Sequence, residues 1–325
     1  MKSTIYTILT TTLVILTGCS KHSVEPDQLR SYIFFEPKVS ESKVTKTSLL
    51  EGNTLPDNFN FGVLGYHGES NKTQLFENNI TKVYKNSDGN FTYGNLVPWI
   101  DRENHYFYAF YIHGKSYENS IADVVPNNGN PYISYSQPEN MSDMYDILTA
   151  YTQTKKIPFV PLSFQHRLWA LDVKIKNSQT EIKTSDGTVL SDGSLSITSI
   201  KLCVSNIAKT VEINLAGGEN IKASKDIEYN VSSTTVSVAA NSEEFIGTLL
   251  FVPGGEFKYR VEVGYVAGGK YTGSFSYPST GYATANNLVA GYRYNLKVEK
   301  LNDKFFVGLI PTDWITDKKP THTFE

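Results

Sequence analysis

The chain has 325 residues, of which 40% are hydrophobic and 19% charged, with a formal net charge of −3. This composition belongs to a globular protein of about two domains, and the balance of charge leaves neither a basic footprint for nucleic acid nor a polybasic patch for anionic lipid. There are 2 cysteines, Cys19 and Cys203, 13 prolines and 23 glycines.

The chain opens with Lys2 and a short apolar or hydroxylated run from Ile5 to Leu16. That run is shorter than the ~20 residues a membrane-spanning helix needs, and it has the proportions of a secretory signal. It ends in Leu16-Thr17-Gly18-Cys19, which looks like a bacterial lipobox. The expectation is that residues 1–18 are a signal peptide and that acylated Cys19 anchors the mature protein to a membrane. Each buried methylene would contribute ~0.8 kcal/mol, so more than one acyl chain anchors stably. An ordinary signal peptide with an incidental cysteine is the alternative. Acylation of Cys19 would leave Cys203 without an intramolecular partner, so stability must come from packing.

Residues 19–56 are mostly polar and read as a tether. Tyr32-Ile33-Phe34-Phe35 forms an isolated strand-like patch within them, followed by Lys43-Val44-Thr45-Lys46-Thr47-Ser48, a segment a trypsin-like protease could reach. A flexible leader with incidental lysines fits the same residues. Beyond it, 21 Tyr and 17 Phe fall in short runs broken by Gly, Asn, Asp and Pro, the pattern of an all-β protein. Ser87-Asp88-Gly89-Asn90 reads as a turn, since it lacks the alternating ligands of a calcium loop. His105 to His113 carries apolar side chains on both faces, which predicts a strand covered on both sides. Its two histidines lie roughly 26 Å apart at ~3.3 Å per residue, too far to share a metal.

Val160, Leu162, Phe164, His166 and Leu168 keep one phase, and Trp169, Leu171, Val173 and Ile175 take the other. Such a flip marks a bulge or a strand passing between packing environments, and it places a boundary between a domain of residues 57–160 and one of residues 161–325. Cys203 sits in an apolar strand, and Gly217-Gly218 and Gly254-Gly255 mark sharp turns. Val261–Tyr265 and Tyr271–Tyr277 alternate about Ala267-Gly268-Gly269-Lys270 and predict a hairpin. Tyr292, Tyr294, Leu296 and Val298 are expected on the inner face of a late strand.

Chemistry is hard to find. No G-x-S-x-G elbow, H-E-x-x-H helix, P-loop or dinucleotide fingerprint is present. No enzyme, metal or cofactor is therefore expected, although a pair of glycosidase carboxylates could be assembled only by the fold. His166, between Phe164 and Leu168, reads as a semi-buried strand residue with one hydrogen bond. Trp99 and Trp314 could stack sugars on an exposed surface or pack into the core.

Several of these stretches resemble the fimbrillin family of Bacteroidales type V pili. Phe164-Gln165-His166-Arg167-Leu168 is similar to that family's F-x-H-x-L motif. Trp99 followed by Tyr106-Phe107-Tyr108-Ala109-Phe110-Tyr111 resembles its Trp and aromatic strand. Asp146-Ile147-Leu148-Thr149-Ala150, Ala290-Gly291-Tyr292-Arg293-Tyr294-Asn295-Leu296 and Trp314 resemble further segments, in the family's order.

The resemblance implies two transthyretin-like Greek-key β-sandwich domains in tandem, exported as an outer-membrane lipoprotein. It also implies proteolytic removal of a first strand, here Tyr32 to Phe35, and its replacement by a strand from another pilus subunit through β-strand addition. Lys46-Thr47 falls where many members carry Arg before a small residue, so an arginine-specific protease would leave this chain uncut. An uncut member could act as a terminal anchor. The C-terminal segment with Phe305, Phe306, Val307, Leu309 and Ile310 is the candidate donor strand, or equally the last strand of the second domain. The function expected is that of a fimbrial subunit or adhesin. The alternatives are a monomeric surface lipoprotein that binds glycan or host protein, and a surface glycoside hydrolase.

Overall fold

The structure, a computed structural model, describes residues 31–39, 55–56, 59–69, 73–127, 129–183, 186–191, 193–232, 234–301 and 304–312. Cys19, Lys46, Thr47 and Trp314 lie outside these residues. Nearly all regular structure is β, as the composition implied.

The first sheet contains β1 (Phe35–Val39), β2 (Asn60–His67), β3 (Thr73–Gln74), β4 (Thr81–Lys85), β5 (Phe91–Thr92), β6 (His105–His113), β9 (Asp146–Thr154) and β10 (Val160–His166). Its order is β1-β10-β9-β6-β2-β4-β5, with β3 beside β2. Between β6 and β9 the chain forms a single helical turn, α1 (Tyr117–Ser120), and then β7 (Val124–Val125) and β8 (Tyr132–Ser136). Those two strands join a different sheet, built on β14 (Leu195–Asn214) with β15 (Glu219–Ser232), β16 (Val236–Val238), β18 (Phe257–Ala267), β19 (Tyr271–Tyr277) and β20 (Ala283–Ala285). A four-stranded sheet in the order β17-β11-β21-β22 comprises β11 (Trp169–Asn177), β17 (Ser242–Phe251), β21 (Arg293–Leu301) and β22 (Lys304–Thr312). A small ribbon, β12 (Ile182–Lys183) and β13 (Val189–Ser191), stands apart.

β6 explains why its sequence is apolar on both faces. Phe107 and Ala109 enter one hydrophobic cluster with Phe61, Val63 and Phe164. Tyr106, Tyr108, Phe110 and Ile112 enter a second, which continues through Trp169, Leu171 and Val173 into the four-stranded sheet. The phase flip has the same origin. Val160, Leu162 and Phe164 belong to the first cluster, while Leu168, Trp169, Leu171, Val173 and Ile175 belong to the second. The 160/161 division drawn from the sequence falls at the head of β10, a strand of the first sheet, and the change of sheet comes between His166 and Trp169.

The local turns follow their glycines. β18 and β19 pair antiparallel from Val261↔Tyr277 to Ala267↔Tyr271, turning at Gly268 and Gly269, whose φ values of 57° and 69° suit a residue without Cβ. Asn86 Oδ1 accepts from the amides of Asp88 and Asn90 at 3.1 and 2.9 Å, closing the turn between β4 and β5. Tyr292 departs from expectation. It precedes β21 and is 48% exposed, whereas Tyr294, Leu296 and Val298 are buried. Its alternation continues that of the strand, but β21 begins only at Arg293.

Candidate strand-exchange site

β1 lies at the edge of the first sheet and runs parallel to β10, in register from Phe35↔Val160 to Val39↔Phe164. Its Phe35-Glu36-Pro37-Lys38-Val39 sequence alternates buried and exposed. An edge position tolerates Pro37, which has no amide proton to give a neighbour. The inward residues reach deep: Ile33, Phe35 and Val39 join the cluster of Phe59, Phe61, Leu162 and Phe164. The Phe35 ring meets Phe107 edge-on at 5.4 Å and Tyr93 at 5.8 Å.

The segment before β1 is held by residues 97 to 99 as well as by β10, whose Val160 N donates to Phe34 O at 2.7 Å. Ile33 N donates to Val97 O at 3.0 Å, and Trp99 N donates to Ser31 O at 3.1 Å. Tyr93 sits between them, its hydroxyl donating to Ile33 O at 2.9 Å and accepting from Val97 N at 3.2 Å. Burial pushes the Tyr93 phenol up to about 12, with the Val97 amide opposing. The strand expected at Tyr32 to Phe35 is thus displaced. Ladder pairing starts at Phe35 and runs to Val39, while Tyr32 only bridges to Pro98. Glu36 and Lys38 made the apolar patch look as if it ended, because in an edge strand alternate residues face water, while Pro37 between them is buried. Tyr93 carried no signal in the sequence, since it follows the two-residue strand β5, too short to show an alternation.

The C-terminal residues are placed elsewhere. β22 pairs antiparallel with β21 along its length, from Arg293↔Thr312 to Leu301↔Lys304, at an edge of the four-stranded sheet. Phe305 packs on Tyr265 at 4.9 Å and stacks with Phe275 at 4.8 Å. The ammonium of buried Lys300 lies 5.1 Å from the Phe305 ring centre. Val307 and Leu309 pack against the core, Ile310 is half-buried and Phe306 is 53% exposed. Within one molecule, then, β22 is the edge strand of its own sheet and does not pair with β1.

A family model described as fimbrillin-like matches residues 45–314. The chain belongs to the fimbrillin-like family. Solved structures are similar to this fimbrillin-like chain in fold. A fimbrial protein from Bacteroides vulgatus is 16% identical, with a TM-score of 0.59 over 88% of this chain and 100% of that one. A Bacteroides uniformis protein assigned to cell adhesion is 15% identical, with a TM-score of 0.50 over 87% and 99%. No curated protein is significantly similar to it in sequence.

The motif residues of the fimbrillin-like chain serve its architecture. His166 Nδ1 and Asp146 Oδ2 are 2.8 Å apart with both side chains buried. Next to them Arg167 N donates to Ile147 O at 2.8 Å, and the Arg167 guanidinium donates to Glu219 at 2.7 Å. Trp99 is buried, its ring edge-on to His105 at 4.8 Å, so it is a core residue and offers no stacking platform. Cys203 is a buried residue of β14, its thiol pushed up by burial and only partly offset by Arg260. Among the described residues no group of His, Cys, Asp or Glu gathers to hold a metal, and no helix is long and apolar enough to cross a membrane.

Proposed function

We propose that this fimbrillin-like chain is a fimbrial subunit assembled by donor-strand exchange, with β1 as the strand that is exchanged. The observation that carries the reading is the placement of β1: a lone parallel strand on a sheet edge whose Phe35 and Val39, with Ile33 just before it, fill the core of the first sheet. Burying each such side chain stabilises by about 1.5–3 kcal/mol, so a groove emptied of β1 would be a strong acceptor for any strand with apolar residues at every second position. Phe305, Val307 and Leu309 of β22 have that spacing and face inward.

In this reading residues 1–18 are an export signal, Cys19 carries the lipid that holds the protein at the outer membrane, and residues 19–56 are tether plus exchangeable strand. Two sandwich domains follow, meeting between His166 and Trp169. Cleavage at Lys46-Thr47 would cut the chain after β1 and before Phe59, freeing the strand. Other pilus subunits are the partners, and a host or bacterial surface ligand is reached through the assembled fimbria. The role is mechanical, with no catalytic residue or cofactor assigned.

Mass spectrometry of the mature N-terminus, from the cell envelope and from sheared surface material, tests this. A chain starting near Thr47 in the sheared fraction supports exchange. Acylated Cys19 as the only N-terminus means that β1 is retained, and rejects this chain as an acceptor in favour of an anchor.

A further inference from the structure

An open cleft of about 330 Å³ lies where β8 meets the turn between β14 and β15. Its lining is rich in amides: Asn127, Asn130, Asn214 and Asn220, with half-buried Tyr132 and the carboxylates of Glu212 and Glu219. Asn214 builds the frame. Its Nδ2 donates to Asn130 Oδ1 at 3.0 Å and its Oδ1 accepts from Ala216 N at 2.8 Å. Gly217 and Gly218, with φ of 123° and 87°, carry the chain round the turn, and a Cβ at either would meet nothing within 4 Å, so the rim stays open.

The charges in this cleft are already matched. Glu212 Oε2 accepts from Asn220 Nδ2 at 3.0 Å and lies 2.9 Å from Lys222 Nζ. Glu219 is paired with Arg167 at 2.7 Å. A free metal cation would have to displace Lys222, and an anion would meet two carboxylates. What remains for a ligand is hydrogen-bonding capacity of both kinds with the charges already paired: a donor in Asn130 Nδ2 and acceptors in Asn220 Oδ1 and Glu212 Oε1, beside an aromatic ring.

We propose that this cleft binds a neutral sugar. Adjacent hydroxyls of a pyranose both donate and accept, matching the Asn220 and Glu212 oxygens as acceptors and the Asn130 N–H as donor, and the apolar face of the ring can lie against Tyr132. The site is built apart from strand exchange, because β8, β14 and β15 belong to a sheet that contains neither β1 nor β22.

The test is an NMR titration of the folded full chain with glucose, galactose and mannose, with the methyl glycoside of each, and with N-acetylglucosamine. Calcium chloride and inorganic phosphate are run in parallel. Saturable shifts confined to residues around Asn130, Asn214 and Asn220 are expected with at least one sugar. Asn220→Ala lies on the exposed rim and is expected to weaken that binding about fivefold, the effect of one lost hydrogen bond, with an otherwise unchanged spectrum. Equal binding of a methyl glycoside and its free sugar points to the end of a glycan, whereas preference for the free sugar points to a soluble monosaccharide. No saturable shift with any sugar, binding of calcium or phosphate at this cleft instead, or undiminished binding by Asn220→Ala would overturn the proposal.

Discussion

His166 of β10 and Asp146 of β9 form a buried pair at 2.8 Å, the two side chains 3% and 2% exposed, where the chain leaves the first sheet for the second. Twenty residues separate them in sequence. The pairing Gln165↔Thr149 and His166↔Leu148 puts the end of β10 beside the start of β9. The same Asp146 stands opposite His113 in the β6–β9 ladder. Two motifs that looked separate in the sequence are one structural device, fastening the crossing between sheets.

Replacing His166 with Ala removes a partner from a carboxylate that has almost no access to water. A loss of about 3 kcal/mol is expected, measured from the urea midpoint. Asp146→Asn, which keeps the shape and part of the hydrogen bonding, should cost less. Equal and small losses in both would show that the pair contributes little.

Phe35→Ala should destabilise the chain by about 3–5 kcal/mol, because it empties the centre of the cluster formed with Phe107 and Tyr93. Phe306→Ala removes a side chain that is 53% exposed and should change stability by no more than about 0.5 kcal/mol. Thermal unfolding of the two variants side by side gives the contrast.

Burial holds the imidazoles of His105 and His113 below the usual histidine range. The folded state therefore favours their neutral forms. Their contribution is complete above the unfolded value of about 6.5 and is lost as pH falls from there through the lower folded values. Asp172 acts in the opposite sense. Its carboxyl is raised by burial despite Arg293 and Thr248, so acidification through its titration adds stability. Urea midpoints between pH 7.5 and 5 should fall for the parent and fall less steeply for His105→Gln. Parallel pH profiles would show that His105 does not contribute.

Gly62 lies in β2 directly under a ring: a Cβ there would come within 2.2 Å of Phe110. Gly62→Ala is expected to cost about 1–3 kcal/mol through forced repacking. Gly94, where a Cβ would meet nothing within 4 Å, should accept Ala without loss. Chemical denaturation of both variants distinguishes a packing effect from a general backbone effect.

What could be read in advance was local. The β18–β19 hairpin, the turn at Asn86 to Asn90 and the two-faced burial of β6 follow from residues within a few positions of one another, where alternation and turn chemistry act directly. Less legible were the partners of each strand. β7 and β8 precede β9 in the chain, yet β8 pairs with the end of β14, from Ser136↔Thr210 to Tyr132↔Asn214. Nothing in Tyr132–Ser136 distinguishes that partner from a neighbour in the first sheet.

The sequence by itself determined that the chain is all-β, that β6 is buried on both faces, that Tyr294, Leu296 and Val298 face inward, and where the tight turns fall, because period-two alternation and glycine conformational freedom are properties of short segments. Only the tertiary structure decided that β1 runs parallel to β10 on a sheet edge, that Trp99 is buried against His105, and that Asp146 meets His166. Alternation specifies a face but not a partner. Choosing among partners depends on closing loops between distant segments and on the fit of the side chains that result.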